Sequence, residues 1–267
     1  NTNSKNKEGT KINNNKIIGN NVFIKNILFL FMIMYINIPS TIKTIEYKIN
    51  LSNNSVIKLK IYGTGNQQIM FHQYVYTPNE MYINEVQKDF SYEYDFDQAN
   101  NTVKLIWYNQ VTNCTLMFKG CYNIYEIDFT NFGSANINYM NGLFRDCYSL
   151  KSIDISNLLV TEVTDISYLF AHCYSLISFE LPDFTNAKLK QINAMFLGCR
   201  SLISIDLSKL DISSVTNMGN LFCNCSSLTS IDLSNFNTTN AQSVDHIFHG
   251  CKSLTSLNIS HFKMENI

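Results

Sequence analysis

From position 111 onward the apolar residues of this chain recur with one fixed step. The phrase Phe-x-x-Cys stands at Phe118/Cys121, Phe144/Cys147, Phe170/Cys173, Phe196/Cys199, Phe222/Cys225 and Phe248/Cys251, each pair 26 residues after the last. Other apolar columns keep the same step: Ile124, Leu150, Leu176, Leu202, Leu228 and Leu254; Ile127, Ile153, Phe179, Ile205, Ile231 and Leu257; Phe129, Ile155, Leu181, Leu207, Leu233 and Ile259. Within a unit, "SLTSIDLSNF" alternates apolar and polar residues around Ile231 and Leu233, which predicts a short strand. In "VTNMGNLF" the residues Val215, Met218 and Leu221 lie three apart, which predicts a helical or 3-10 return. The position before each cysteine reads Gly120, Asp146, His172, Gly198, Asn224 and Gly250. These types tolerate positive φ best, so a turn is expected there.

A unit this short cannot bury its apolar side alone, so neighbours must stack over a continuous core. "VTNMGNLFCNCSSLTSIDLSNFNTTN", from Val215 to Asn240, resembles the 26-residue repeat of bacterial surface proteins, the BspA-like leucine-rich repeat. The expected fold is an α/β solenoid: a leucine-rich-repeat-like right-handed superhelix with a parallel strand face and helical or 3-10 returns. Its strands would lie about 4.8 Å apart. The Phe and Cys columns would form its core. The resemblance implies a secreted or cell-surface protein that binds host or matrix proteins, and it carries no catalytic residue.

Ahead of the array the period vanishes. "VIKLKIYGTG", "QIMFHQYVY", "EMYINEV" and "TVKLIWYNQ" alternate or run β-branched and aromatic between turn residues, which predicts strands. Residues 41–101 are therefore read as a β-rich N-terminal cap over the first exposed core face, and 102–267 as the array, truncated at its C-terminal end. Residues 1–21 are polar and basic without periodicity, the pattern of a disordered segment. Residues 22–40 hold one apolar run, Asn26 to Ile38, short for a membrane span and suited to a signal peptide or signal anchor.

Composition changes this picture little. At 45% hydrophobic and 13% aromatic there is ample material for a core. A formal net charge of −1 removes any electrostatic case for nucleic acid. Gly63-Thr64-Gly65 is too short for a phosphate loop, and neither a H-E-x-x-H sequence nor a P-loop occurs, so no enzyme and no cofactor is expected. Column-mate cysteines point the same way in adjacent units, which favours reduced core thiols over bridges. Cys223 sits in a variable column (Lys119, Arg145, Ala171, Leu197, Cys223, His249) and is expected to be the exposed, reactive thiol. With His246 and His249 it invites a zinc reading, but the tight pair spacing of zinc sites is missing, and surface histidines are the simpler account. Seven Asn-x-Ser/Thr sequons, at Asn50, Asn53, Asn100, Asn113, Asn224, Asn237 and Asn258, make a glycoprotein conceivable.

The candidate binding face is the outward side of the strands. Asp128, Asp154, Glu180, Asp206 and Asp232 form one column there, and Ser152, Ser178, Ser204 and Ser230 another. The ladder reads either as solvated surface or as a docking strip for a basic partner, with Ca²⁺ as a weaker option. The functional expectation is adhesion or binding of a protein or glycan. The alternatives are a self-associating coat component and an intracellular repeat scaffold.

Overall fold

Every second amide of the segment expected to be helical points out of its own unit. Met218 N donates to Ser243 O (3.0 Å), Asn220 N to Asp245 O (2.7 Å), Phe222 N to Ile247 O (2.9 Å) and Asn224 N to His249 O (2.6 Å). The intervening amides close short turns instead, as in Leu221 N to Met218 O (3.3 Å) and Cys225 N to Phe222 O (3.1 Å). Cys114, Leu116, Phe118 and Gly120 bond across in the same way, as do Ile166, Tyr168, Phe170 and His172 and then Ile192, Ala194, Phe196 and Gly198. An α-helix would send all these donors to carbonyls four residues back. Here φ turns positive every fourth residue, at Leu116 and Gly120, Gly142 and Asp146, Tyr168 and His172, Ala194 and Gly198, Asn220 and Asn224, His246 and Gly250. That alternation cannot propagate a right-handed helix.

The computed structural model describes residues 54–133, 136–260 and 262–263. The disordered segment (1–21) and the signal or anchor (22–40) expected from the sequence lie outside the described residues. Among the described residues eight strands form: β1 (Ser55–Tyr62), β2 (Gly65–Gln68), β3 (Glu80–Ile83), β4 (Val86–Lys88), β5 (Glu93–Phe96), β6 (Asn100–Trp107), β7 (Ile124–Asp128) and β8 (Ser152–Asp154). Six make one mixed sheet in the order β4-β3-β6-β1-β7-β8, and β2 pairs with β5. Only β7 and β8 run parallel, pairing Glu126 with Ser152, Ile127 with Ile153 and Asp128 with Asp154. In later units single bonds hold the corresponding segments, Ile203 N to Ile177 O (3.2 Å) and Thr229 N to Ile203 O (3.1 Å).

The expected α/β solenoid is thus corrected. Among the described residues there is no helix, so the helical and 3-10 returns are absent, and the parallel strand face shrinks to one pair of strands. The described residues form no leucine-rich-repeat superhelix; they are all strand and turn. Their cross-unit bonding is densest on the side where the sequence predicted helices. No helix among the described residues is long and apolar enough to cross a membrane.

The 26-residue step nonetheless organises the core. Phe118, Phe144, Phe170, Phe196 and Phe222 are fully buried, their rings stacked at 5.2–6.2 Å with planes within 16° of parallel. Phe248 stacks on Phe222 at 5.7 Å but is only partly buried. Each Phe carbonyl accepts the amide of its own unit's cysteine, as Phe170 O does from Cys173 N (3.0 Å). Its second lone pair accepts the thiol of the following unit: Cys147 Sγ to Phe118 O, Cys173 to Phe144, Cys199 to Phe170, Cys225 to Phe196 and Cys251 to Phe222, all at 3.1–3.2 Å. A cysteine suits this position because it packs as a small apolar group and still offers a weak donor.

The cap closes the first unit chemically as well as sterically. β1 pairs with β6 on one side and β7 on the other, so cap and array share a sheet, and position 102 falls inside β6. The outward carbonyls of the first unit are taken: Met117 O by Phe71 N (2.9 Å), Lys119 O by Gln68 Nε2 (3.0 Å) and Asn113 O by the Tyr74 hydroxyl (2.6 Å).

Candidate binding face

The outward side of the mixed sheet combines cap and array. On β1 the exposed alternate positions are Lys58, Lys60 and Tyr62; on β6 they are Asn100 and Thr102, followed by half-buried Lys104. Lys60 Nζ bonds Glu126 at 2.8 Å, Lys58 Nζ lies 4.0 Å from Asp128, and Lys104 Nζ sits 4.3 Å over the Tyr82 ring. These residues, with Glu85, Thr102 and the backbone between them, line a groove of about 350 Å³. Its charges are largely neutralised by one another, and such exposed pairs contribute little stability, about 0–1 kcal/mol each.

Beyond β8 the acid column continues, but its carboxylates are tied to their own backbone. Asp128 Oδ1 accepts from Thr130 N (2.8 Å) and Oγ1 (2.6 Å), and Asp154 Oδ1 from Ser156 N (3.3 Å) and Oγ (2.9 Å). Asp206 Oδ1 accepts from Ser208 N and Asp232 Oδ1 from Ser234 N, both at 2.8 Å. Asn258 repeats the arrangement with Ser260. These are Asx-turns, in which a side-chain oxygen substitutes for a backbone acceptor. Glu180 is too long for that turn. In its unit the role passes to Asp183, which accepts from Thr185 N and Oγ1, while Glu180 pairs with Lys209. Bonds from Ser208 N and its hydroxyl hold Asp206 below the usual carboxylate range, and bonds from Thr185 do the same for Asp183. The sequence reading missed this role, although Asp-x-Ser/Thr repeated at Asp128, Asp154, Asp206 and Asp232 was its visible signal. Ser152, Ser178, Ser204 and Ser230 are exposed beside the acids.

The expected exposed thiol needs correction. Cys223 is 6% exposed, buried with the rest of its unit. Its column sits next to the Cys column, and the Asn220–Asn224 turn folds it inward, closed by Cys223 N to Asn220 O (3.1 Å). All eight cysteines are free, and Cys251 is the least buried. Burial raises the pKa of Cys121, Cys147, Cys173, Cys199 and Cys225 well above the ordinary thiol value. Native protein is therefore expected to react with a thiol reagent at one site, Cys251, and denatured protein at eight. Loss of the native reaction in Cys251→Ala confirms the assignment; its persistence there and loss in Cys223→Ala would reverse it.

His246 and His249 lie with ring centroids 5.5 Å apart, and among the described residues no group of three His, Cys, Asp or Glu side chains could hold a metal. Of the described sequons, Asn113 and Asn237 already use their side-chain oxygens to accept backbone amides of Thr115 and Thr239, whereas Asn100 and Asn224 are exposed.

Fold and face together define a non-helical repeat protein: turn-rich 26-residue units bonded edge to edge and closed by a β-rich cap. The chain matches the model of the family described as "Mycoplasma protein of unknown function, DUF285" over residues 84–202 and 177–267, more than half its length, and it belongs to that family. This match replaces the BspA-like resemblance, since no leucine-rich-repeat or bacterial-surface-protein family matches. No curated protein and no solved structure matches the chain.

Proposed function

We propose that this chain is a non-catalytic binding protein, secreted or displayed at a cell surface, that engages a basic polypeptide segment along its acidic column. The observation that carries this reading is the Asx-turn row. Asp128, Asp154, Asp206 and Asp232 each commit Oδ1 to the backbone two residues on, which holds the carboxylate in one orientation. A charge array held by the backbone loses less side-chain entropy on binding than one built on free rotors. The serine column beside it adds hydroxyls able to donate or accept.

The rival, head-to-tail stacking of copies, meets an obstacle. Units join by amides donating to the carbonyls of the next, and the first unit's carbonyls are already taken by Phe71, Gln68 and Tyr74. A stacking copy would have to displace the cap, so size-exclusion chromatography is expected to show no large species.

The test replaces Asp154, Asp206 and Asp232 together by Asn. An amide oxygen still accepts the Ser amide, so the turns survive while three charges go. Affinity for an oligolysine peptide is expected to fall at least about tenfold in 50 mM salt and to lose most of its salt dependence. The control, Asp89→Asn/Asp95→Asn/Asp97→Asn, removes the same charge from exposed positions off the column. Equal losses in both variants would reduce the column to solvated surface.

A further inference from the structure

A second groove lies at the other end of the same sheet face, lined by Tyr62, Asn100, Tyr125, Ser149, Lys151 and Ser175, with a volume of about 370 Å³. We propose that it is a carbohydrate-binding site for acidic oligosaccharides. The site shares no residue with the acidic column, so it stands or falls separately from the polypeptide reading.

The first ground is a β-bulge. β1 and β7 keep register from Lys58/Asp128 to Lys60/Glu126, then Ile61 pairs with Ile124, leaving Tyr125 as the extra residue. A bulge sends two consecutive side chains to one face and re-aims them. Tyr125 and Glu126 accordingly both face out of β7, between buried Ile124 and Ile127. Tyr125 thereby reaches the groove that Tyr62, at the end of β1, borders from the other side. Tyr62 is 62% exposed, and neither ring is stacked on another aromatic ring among the described residues. Both differ in this from Tyr122, Tyr148 and Tyr174, whose rings stack on one another at 4.7 Å with Arg200 over the last.

The second ground is what the lining groups lack. In the neighbouring groove Lys58, Lys60 and Lys104 each have a partner. Around Tyr62 and Tyr125, the Asn100 amide, the Ser149 and Ser175 hydroxyls, the two phenols and the Lys151 ammonium make no side-chain hydrogen bond or ion pair with any described residue. Their backbones are nonetheless fixed: Lys151 N donates to Tyr125 O (2.9 Å), Ser149 N to Tyr122 O (3.1 Å) and Tyr62 N to Asn123 O (3.0 Å). Rigid backbone, open aromatic rings and uncommitted polar groups surround a volume within the range of small-ligand sites, about 300–1,000 Å³.

A pyranose matches this chemistry. It presents an apolar C–H face, which packs on the electron-rich face of a phenol ring, and a rim of hydroxyls for amide and hydroxyl partners. Lys151 supplies one uncompensated positive charge, which selects a carboxylated sugar over a neutral one.

Titration calorimetry of the folded chain tests this with hyaluronan tetrasaccharide, trigalacturonic acid and sialyllactose, against cellotriose, chitotriose and tetraglutamate. At least one acidic sugar is expected to bind saturably and more tightly than every neutral sugar and the peptide. Tyr62→Ala and Tyr125→Ala should each weaken that binding about tenfold, while Tyr125→Phe retains it. Lys151→Gln should abolish the preference for acid. Should an alanine variant fail to fold, amide shift mapping on the unmodified chain decides, with Ser149, Lys151 and Ser175 expected to move. No saturable binding across the three acidic sugars, equal binding of tetraglutamate, or perturbations elsewhere would overturn the site.

Discussion

Phe196→Ala is expected to destabilise the chain by about 3–5 kcal/mol, the largest effect of any single truncation considered. Its ring is fully buried, stacked 5.9 Å from Phe170 and 5.2 Å from Phe222 with planes within 7° of parallel, and 6.2 Å from Phe179. The void cannot close easily. The backbones that carry Phe170 and Phe222 are held by their own amides, bonded to Met195 O (2.9 Å) and Ile247 O (2.9 Å), so the void can close only by side-chain rotation within a packed stack. Because stability in a stacked array is approximately a sum over neighbouring units, one void weakens two interfaces. Phe248→Ala, at a partly buried ring, should cost clearly less. Denaturant midpoints of the two variants read the difference, and an unchanged midpoint for Phe196→Ala would remove the ring from the core.

Gly198→Ala should cost about 1–3 kcal/mol although it adds only a methyl group. Gly198 has φ +72°, and a Cβ there would stand 2.8 Å from His172 Nδ1. Two costs combine, the left-handed backbone and the imidazole of the preceding unit. Asp146, His172 and Asn224 occupy the same column at φ 61–64°, so a side chain is tolerated where the column-mate leaves room. The pair can therefore be separated by experiment. In a His172→Ala background the clash disappears and Gly198→Ala should cost less, the remainder being the backbone strain. A cost that does not change in that background would mean that the ring can swing away. Gly250 presents the same geometry, with Asn224 Oδ1 in the way of its would-be Cβ.

The thiol at position 223 shows where reading a column as surface fails. Its variable residue types (Lys, Arg, Ala, Leu, Cys, His) suggested exposure, yet the turn that carries it folds back between units, and long residues there can run their stems along the stack. The Asp column erred in the other direction. Its acidity was visible, and so was Asp-x-Ser/Thr, but charge drew attention before turn chemistry. The Tyr125 groove was not legible at all, because a one-residue bulge against β1, about 65 residues away in sequence, decides which way Tyr125 points.

What the sequence by itself determined is the period, the apolar columns and the turn position before each cysteine. These depend on residue type alone, since a unit of 26 residues must bury the same positions whatever its backbone does. Only the tertiary structure decided the conformation between those positions. Spacing of three, as in Val215, Met218 and Leu221, fits a helix and fits equally a run of tight turns with φ reversing every fourth residue. The choice falls to where the amides find acceptors: here Met218, Asn220, Phe222 and Asn224 bond across to the next unit. Cross-unit bonding satisfies those donors and ties neighbouring units together, which a helical return, bonded within itself, would not do.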